Sequence, residues 1–450
     1  MKRLFAIPAL LAALALLLTA LPASAEVGVA PAREFVPHEL IVKLEDGAER
    51  TLALPKGVGV GESARALADN PRVEYAAPNY IATASAFATP SLLPNDPGTL
   101  NGPAEASAAG NWTLKQWNLL PWRETSDPRL PHSPGGIDAP GAWANLAAAG
   151  RPGGKGVVVA VLDTGVAYRD QGRFLRSPDF TPGQFVDGYD FVDNDRLPLD
   201  ENGHGTHVAG TIAEKTGNGI GLAGIAYGAK LMPVRVLDAQ GRGDASKIAK
   251  GIRFAIANRA HVINLSFNFG CGKQVPGVNE ALREAAARGV VVVASVGNLG
   301  AETCVSAPAT SPRAIGVGGS TEGGCLGSYS LSGRAVDLLA PGGGKPTPDC
   351  PSISARPIYQ VTLKPGSTRQ FGVPTNYVGT SMAAAHVSGA AALVIASGVL
   401  DGKGKGKTRV DLIRRKLTAT ARTFNLPEVQ QGSGLIDVAA ATTPSLKRRR

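Results

Sequence analysis

The chain of 450 residues contains no H-E-x-x-H phrase and no C-x-x-C, and no histidine pair accompanies its four cysteines at ligand spacing. Those absences remove the sequence signatures of catalytic and structural zinc. His204 and His207 stand three apart, but without the glutamate context of a metal helix they read as a base and its structural neighbour. The phrase Asp163-Thr164-Gly165 occurs once. Two aspartates sharing a proton would need a second such phrase in a β-rich chain, and neither is present. Beyond the N-terminal segment no apolar run is expected to be long enough to span a bilayer.

What is present begins with an export signal. Lys2 and Arg3 precede an apolar run from Leu4 to Leu21, and Ala23-Ser24-Ala25 forms a small-residue cleavage pattern before Glu26. Residues 1–25 are therefore expected to be removed and the product secreted, to the extracellular space or a periplasm, with no membrane anchor. In an exported protein an even number of cysteines suggests bridges. Cys271, Cys304, Cys325 and Cys350 permit three pairings; neighbour pairing, 271 with 304 and 325 with 350, closes the shortest loops and is expected.

A formal net charge of +10 raises the question of nucleic acid, but its distribution answers against that partner. Residues 26–80 carry six Lys and Arg against nine Asp and Glu. Eight positive charges sit in GKGKGKTR at 402–409 and in the terminal Lys447-Arg448-Arg449-Arg450, places that read as solvated loops and a basic tail over 442–450. The opposite signs of leader and body favour their docking.

Strand, helix and strand are expected in ELIVKL, ESARALADN and RVEYAAPNYI, a compact α+β unit. A nearly uncharged stretch rich in Ala, Ser, Pro and Gly follows and reads as a cleavable linker, so that 26–93 form leader and linker and 94–441 the main domain. From Gly156 the pattern alternates apolar runs (VVVAVLD, KLMPVRVLD, HVINLSF, VVVVASVGN, AIGVGG) with amphipathic helices. That predicts an α/β fold: a doubly wound, mostly parallel sheet with helices on both faces. Ligands gather at the carboxyl ends of such strands, where Asp163 and Asn298 fall.

Asp163, His204 and Ser381 lie in the glycine-flanked phrases VAVLDTGV, NGHGTHVAG and VGTSMAAAHVSG. A serine hydroxyl is a poor nucleophile near pH 7; it needs a base, and the base needs a group that holds one tautomer. Ser381 opens an Ala-rich helix, so its backbone N–H and the positive end of the helix dipole suit a developing oxyanion, with the Asn298 amide as a second donor. The three phrases together read as a serine protease.

Residues 94–440 resemble the subtilases, the subtilisin-like serine endopeptidases, in all three phrases and the asparagine, and residues 36–82 resemble that family's inhibitory propeptide through IVKL and ADNPRVEYAAPNY. The resemblance implies that Gly241, Arg242 and Gly243 form an edge strand and Ser266, Phe267 and Asn268 the strand opposite, holding extended substrate between them, with Ser295 and Gly297 also at the substrate. Asn268 stands where the family usually has glycine, implying a narrower or more polar pocket before the scissile bond. Ala385 stands in place of a usual proline. Structural Ca²⁺ is implied at a loop site of Asp96, Asp179, Thr216, Asn218, Ile220 and Leu222, and at a second site of Asp190, Asp193 and Asp195. Residues 342–377 exceed the family's usual link to the nucleophile, and IYQVTLKPGSTRQFGV reads as a hairpin near the leaving-group side. The expectation is a monomeric, self-processing zymogen whose leader occupies the cleft until cleaved, after which it hydrolyses proteins or peptides through an acyl-enzyme on Ser381.

Overall fold

The computed structural model describes residues 35–80 apart from 46 and 48, residues 93–100, and residues 111–443 apart from 126, 128, 301 and 302. The signal, the linker segments 81–92 and 101–110 and residues 444–450 of the basic tail lie outside the described residues. Two compact units divide the chain at Ala86.

The first unit holds β1 (Phe35–Leu44), β2 (Glu49–Ala53), α1 (Val60–Ala68) and β3 (Val73–Tyr80), with β1 central and antiparallel to both neighbours. Leu40, Val42, Val60 and Ala64 make its small core. Strand β2, which the sequence pattern does not reveal, is exposed along its whole length, so it lacks the alternating apolar signal.

The second unit is built on a seven-stranded sheet in the order β10-β9-β8-β7-β4-β6-β5, with every pairing parallel. In chain order these strands are β4 (Val158–Asp163), β5 (Tyr189–Asp190), β6 (Lys230–Arg235), β7 (Val262–Leu265), β8 (Val291–Ser295), β9 (Ala314–Ser320) and β10 (Leu338–Pro341). The short α2 (Trp112–Lys115) and α3 (Ala139–Ala148) precede the sheet. Then come α4 (His204–Ala213), α5 (Ala245–Ala257), α6 (Pro276–Arg288), α7 (Thr380–Ser397), α8 (Gly406–Ala419), α9 (Glu428–Gln431) and α10 (Val438–Thr442). Strands β11 (Thr362–Leu363) and β12 (Phe371–Gly372) form the expected separate hairpin.

Alternation along each strand divides the interior into two layers. Val159, Val161, Val291 and Val293 join α3, α4 and α7 on one face, while Ala160, Leu162, Val292 and Ala294 join α5 and α6 on the other. Three tryptophans buried on the first face each retain a hydrogen bond: Trp112 to Pro94 O (3.1 Å), Trp117 to Pro357 O (3.1 Å) and Trp143 to Ile225 O (2.8 Å). Asp138, Asp244 and Asp437 cap α3, α5 and α10 by accepting backbone N–H bonds.

One expectation is corrected here. Among the described residues α7, 18 residues long, is apolar enough to cross a membrane by length and composition. Its alanines and small polar residues instead let it lie against the sheet on one side and α4 and α10 on the other, with 83% of the stretch buried inside the fold.

The chain proceeds from β4 to β6 on one side and then returns to β7 on the other. The reversal at β4 makes the carboxyl ends of β4 and β7 the place where a sheet of this kind binds ligands.

Candidate active site

Asp163 ends β4 and is wholly buried. Its Oδ1 accepts the Thr164 N–H (2.8 Å) and lies 2.7 Å from His204 Nδ1. His204 is the first residue of α4, and Gly205 is what allows the approach, because a β-carbon there would come within 2.1 Å of Gly165 O and 3.1 Å of Asp163 Cβ. Burial works against the imidazolium, but the charge and hydrogen bond of Asp163, aided by the charge of Asp200, outweigh it and hold His204 above its ordinary value.

Asp200 is a residue the sequence reading missed. Its buried carboxylate accepts from Thr164 Oγ1 (2.9 Å), Asn202 N (2.9 Å), Gly203 N (3.0 Å), Thr206 N (3.0 Å) and Thr206 Oγ1 (2.6 Å). One acid thus ties β4 to the start of α4. An acid four residues before the histidine is the visible signal, a pattern like that of a helix cap.

Ser381 is the second residue of α7. Its Oγ donates to Ser266 O (2.9 Å), and the Ser266 hydroxyl donates in return to Ser381 O (2.8 Å). Asn264 and Ser388 extend this brace into β7 and α7. Among the described residues no hydrogen bond joins Ser381 Oγ to His204; the hydroxyl is engaged with Ser266 O instead.

Asn298 turns its Oδ1 to Thr380, accepting from N (2.9 Å) and Oγ1 (2.8 Å), which leaves the Nδ2 amide as an outward donor. That Nδ2 lies 2.9 Å from where a Gly379 β-carbon would be, and Gly379 has φ +150°, so a side chain there would meet the donor group.

His207 is not beside His204 as a ligand. Its Nε2 meets Ile358 O (3.1 Å), its ring stacks on Tyr377 (4.0 Å, 8° between planes), and burial pushes it down to about 3, so it stays neutral. His386 is likewise buried, pushed down to about 4, and bonded to Met382 O and Asn118.

The segments expected to flank a substrate are irregular backbone, not strands. Gly241, Arg242 and Gly243 are exposed, in a turn tied by Arg242 N to Asp238 Oδ1 (2.9 Å). Ser266, Phe267 and Asn268 extend past β7, with Asn268 exposed and its Oδ1 facing its own Gly270 N–H (3.2 Å). Buried Ser295 donates to Phe267 O (3.3 Å), and Gly297 donates to Thr380 Oγ1 (3.2 Å). The cysteines pair as 271–304 and 325–350, the first bridge pinning the chain just past Asn268 and the second tying the 342–377 insertion to the turn after β9.

At the first expected calcium site Asp96 and Asp179 are fully buried. Asp96 accepts from Gly217 N and Asn218 N; Asp179 accepts from Asn218 Nδ2 and Leu222 N. Burial lifts these carboxyls to about 6 and about 8 despite those bonds. No hydrogen bond among the described residues ends on the carbonyls of Thr216, Ile220 or Leu222. Buried carboxylates and free carbonyls make an oxygen-only donor set that fits Ca²⁺, with the Asn218 Oδ1 shared with the Ile220 N–H (3.0 Å). Glu214 lies close by, fully buried with neither carboxylate oxygen hydrogen-bonded, and burial followed by the charge of Asp179 pushes it well above the usual range.

At the second expected calcium site an arginine already meets two of the three acids. Arg235 Nη1 lies 2.8 Å from Asp190 Oδ2 and 2.6 Å from Asp193 Oδ2, while Asp195 Oδ1 accepts the Leu197 N–H (2.7 Å). The cation that relieves the acidic turn is a guanidinium. No three carboxylate, imidazole or thiol groups converge as a metal cluster among the described residues.

A serine-type endopeptidase of α/β architecture is the class to which this sheet and its carboxyl edge point. A family model described as the subtilase family, Peptidase_S8, matches residues 154–434, and the chain belongs to that family. It is 34% identical over 334 residues to a thermophilic serine proteinase from Bacillus sp. strain AK1, covering 74% of this chain and 66% of that protein, just under two thirds of it. It is 38% identical over 290 residues to subtilisin BL of Lederbergia lenta, covering 64% and 91%. Identity to thermitase of Thermoactinomyces vulgaris is 37% over 267 residues, covering 59% and 82%. A solved structure described as a protease from Pseudoalteromonas arctica superposes with a TM-score of 0.59 at 30% identity, covering 78% of this chain and 98% of that one.

Proposed function

We propose that Ser381 is the nucleophile, His204 the proton carrier and Asp163 the group that holds its tautomer. The carrying observation is the 2.7 Å Asp163–His204 bond at the carboxyl end of β4, with Ser381 at the start of α7 bonded to Ser266 just past the neighbouring β7. In this reading Ser381 Oγ attacks the scissile carbonyl as its proton passes to His204 Nε2. The oxyanion is met by the Asn298 Nδ2 amide and the Ser381 N–H. His204 then gives its proton to the departing amine, and water, deprotonated by the same imidazole, releases the acyl group. Protein and peptide substrates would lie as extended chains between 241–243 and 266–268, held through main-chain groups. Asn268 would narrow the pocket before the scissile bond; a peptide library showing free acceptance of large aromatics there contradicts that detail.

The same proposal covers the rest of the chain: residues 1–25 as an export signal, 36–82 as an intramolecular inhibitor, cleavage within the linker, and a monomeric secreted product free of nucleic acid and membrane. The loop site of Asp96, Asp179 and Asn218 with the carbonyls of Thr216, Ile220 and Leu222 would hold structural Ca²⁺, which when bound supplies charge balance to buried carboxylates. The experiment is Ser381→Ala in the full chain. It should abolish fluorophosphonate labelling and leave an uncleaved precursor by mass spectrometry; a purified Ser381→Ala protein that matures normally overturns self-processing, and one that still labels overturns the nucleophile.

A further inference from the structure

The insertion that ends at the nucleophile helix is fastened to the helix of His204. Ile358 O meets His207 Nε2, Tyr377 stacks on that same ring, and Thr362 Oγ1 donates to Gly203 O, next to His204. A β-carbon on Gly203 would lie 3.2 Å from Tyr377 Oη and 3.3 Å from Leu363 O, so the base of the β11–β12 hairpin covers the backbone directly before the imidazole. The far end of the hairpin crosses to the loop after β4, where Leu175 N donates to Thr368 O (3.0 Å), Thr368 Oγ1 to Arg173 O (2.7 Å) and Arg369 Nη1 to Gly172 O (3.3 Å). Hairpin and loop therefore form one braced wall.

The wall stands on a defined side of the reaction. His204 delivers its proton to the leaving amine, so the departing part of the substrate lies on the imidazole side, away from 241–243 and 266–268. Lys364 and Arg369 are exposed on this wall and enter no ion pair among the described residues. Carboxylates of the adjoining segments are already engaged: Glu201 with Arg173 at 2.8 Å, and Asp170 with the Arg176 N–H at 2.8 Å.

Resting on the protease reading above, we infer that the 362–372 hairpin is a specificity element that selects acidic residues on the leaving side of the scissile bond through Lys364 and Arg369. Lys364 follows directly on the strand that touches Gly203, so the two cations would face substrate residues a few positions beyond the bond.

The test uses the matured protein produced from the full chain and pairs of peptides identical up to the scissile bond, with Glu or Gln at the second to fourth positions after it. The readout is the ratio of kcat/KM within each pair, so a general change in activity divides out. An exposed ion pair of this kind predicts a Glu preference of about 1.5- to fivefold at low salt. That preference should shrink in about 0.5 M NaCl, where the Debye length falls to about 4 Å and exposed charges are screened. It should fall to parity or invert in the Lys364→Glu/Arg369→Glu variant. Wild-type cleavage with no Glu preference, or an unchanged ratio in the charge-reversed variant, overturns the inference and leaves the protease reading standing. Failure of the wild-type protein to cleave any peptide overturns both.

Discussion

Replacing Arg235 tests how the acidic turn at 190–195 is held. The Arg235 side chain is 6% exposed and reaches Asp190, itself 1% exposed, at 2.8 Å. Its contact with Asp193 contributes little, because that carboxylate is 58% exposed and screened. Arg235→Ala strands the Asp190 charge with only the N–H groups of Val192 (2.7 Å) and Asp193 (3.0 Å) as partners. Removing one member of a buried pair costs about 3–5 kcal/mol, or roughly two to three and a half powers of ten in the unfolding equilibrium, against total stabilities of about 5–15 kcal/mol. Urea unfolding of the active-site-blocked protein measures the equilibrium, and the unfolding rate serves where refolding fails. Adding Asp190→Asn to the variant should recover most of the loss, because the neutral amide no longer needs a counter-charge. A loss below about 1 kcal/mol, or a double variant as unstable as the single one, refutes this account. Full rescue of Arg235→Ala by Ca²⁺ with no benefit from Asp190→Asn would restore the second metal site in place of the guanidinium.

Other consequences are equally direct. Asn298→Ala should lower kcat by about 10²–10³ with little change in KM, a magnitude borrowed from the comparable donor of a subtilisin; an unchanged kcat removes Asn298 from the oxyanion site. The base works only when neutral and His204 is held above 6.5, so kcat/KM should rise with pH through an acid limb centred above that value, and stopped assays from pH 5 to 9 locate it. Calcium at about 100 times its dissociation constant should stabilise the protein by about 2.7 kcal/mol, seen as a rise in thermal midpoint that Asp179→Asn largely abolishes.

Much of this organisation is legible in the residues. VVVAVLD and VVVVASV announce strands buried on both faces, and their C-terminal ends place Asp163 and Asn298 where a doubly wound sheet binds ligands. What stayed hidden depends on contacts distant in sequence. Strand β10 is four residues ending in proline and β5 only two, too short for a periodic signal. The acids at 190, 193 and 195 suggest a metal until Arg235, 40 or more residues later, folds between two of them. Helix α7 resembles a membrane span because apolar composition cannot distinguish lipid from protein surroundings.

Ser381 is rooted in a helix packed deep in the fold, whereas the segments that would meet substrate are turns and a hairpin at the periphery. That division separates two kinds of change. Surface insertions can reshape what the enzyme accepts while the serine keeps its aim, and heat should extinguish activity only when the central packing itself gives way.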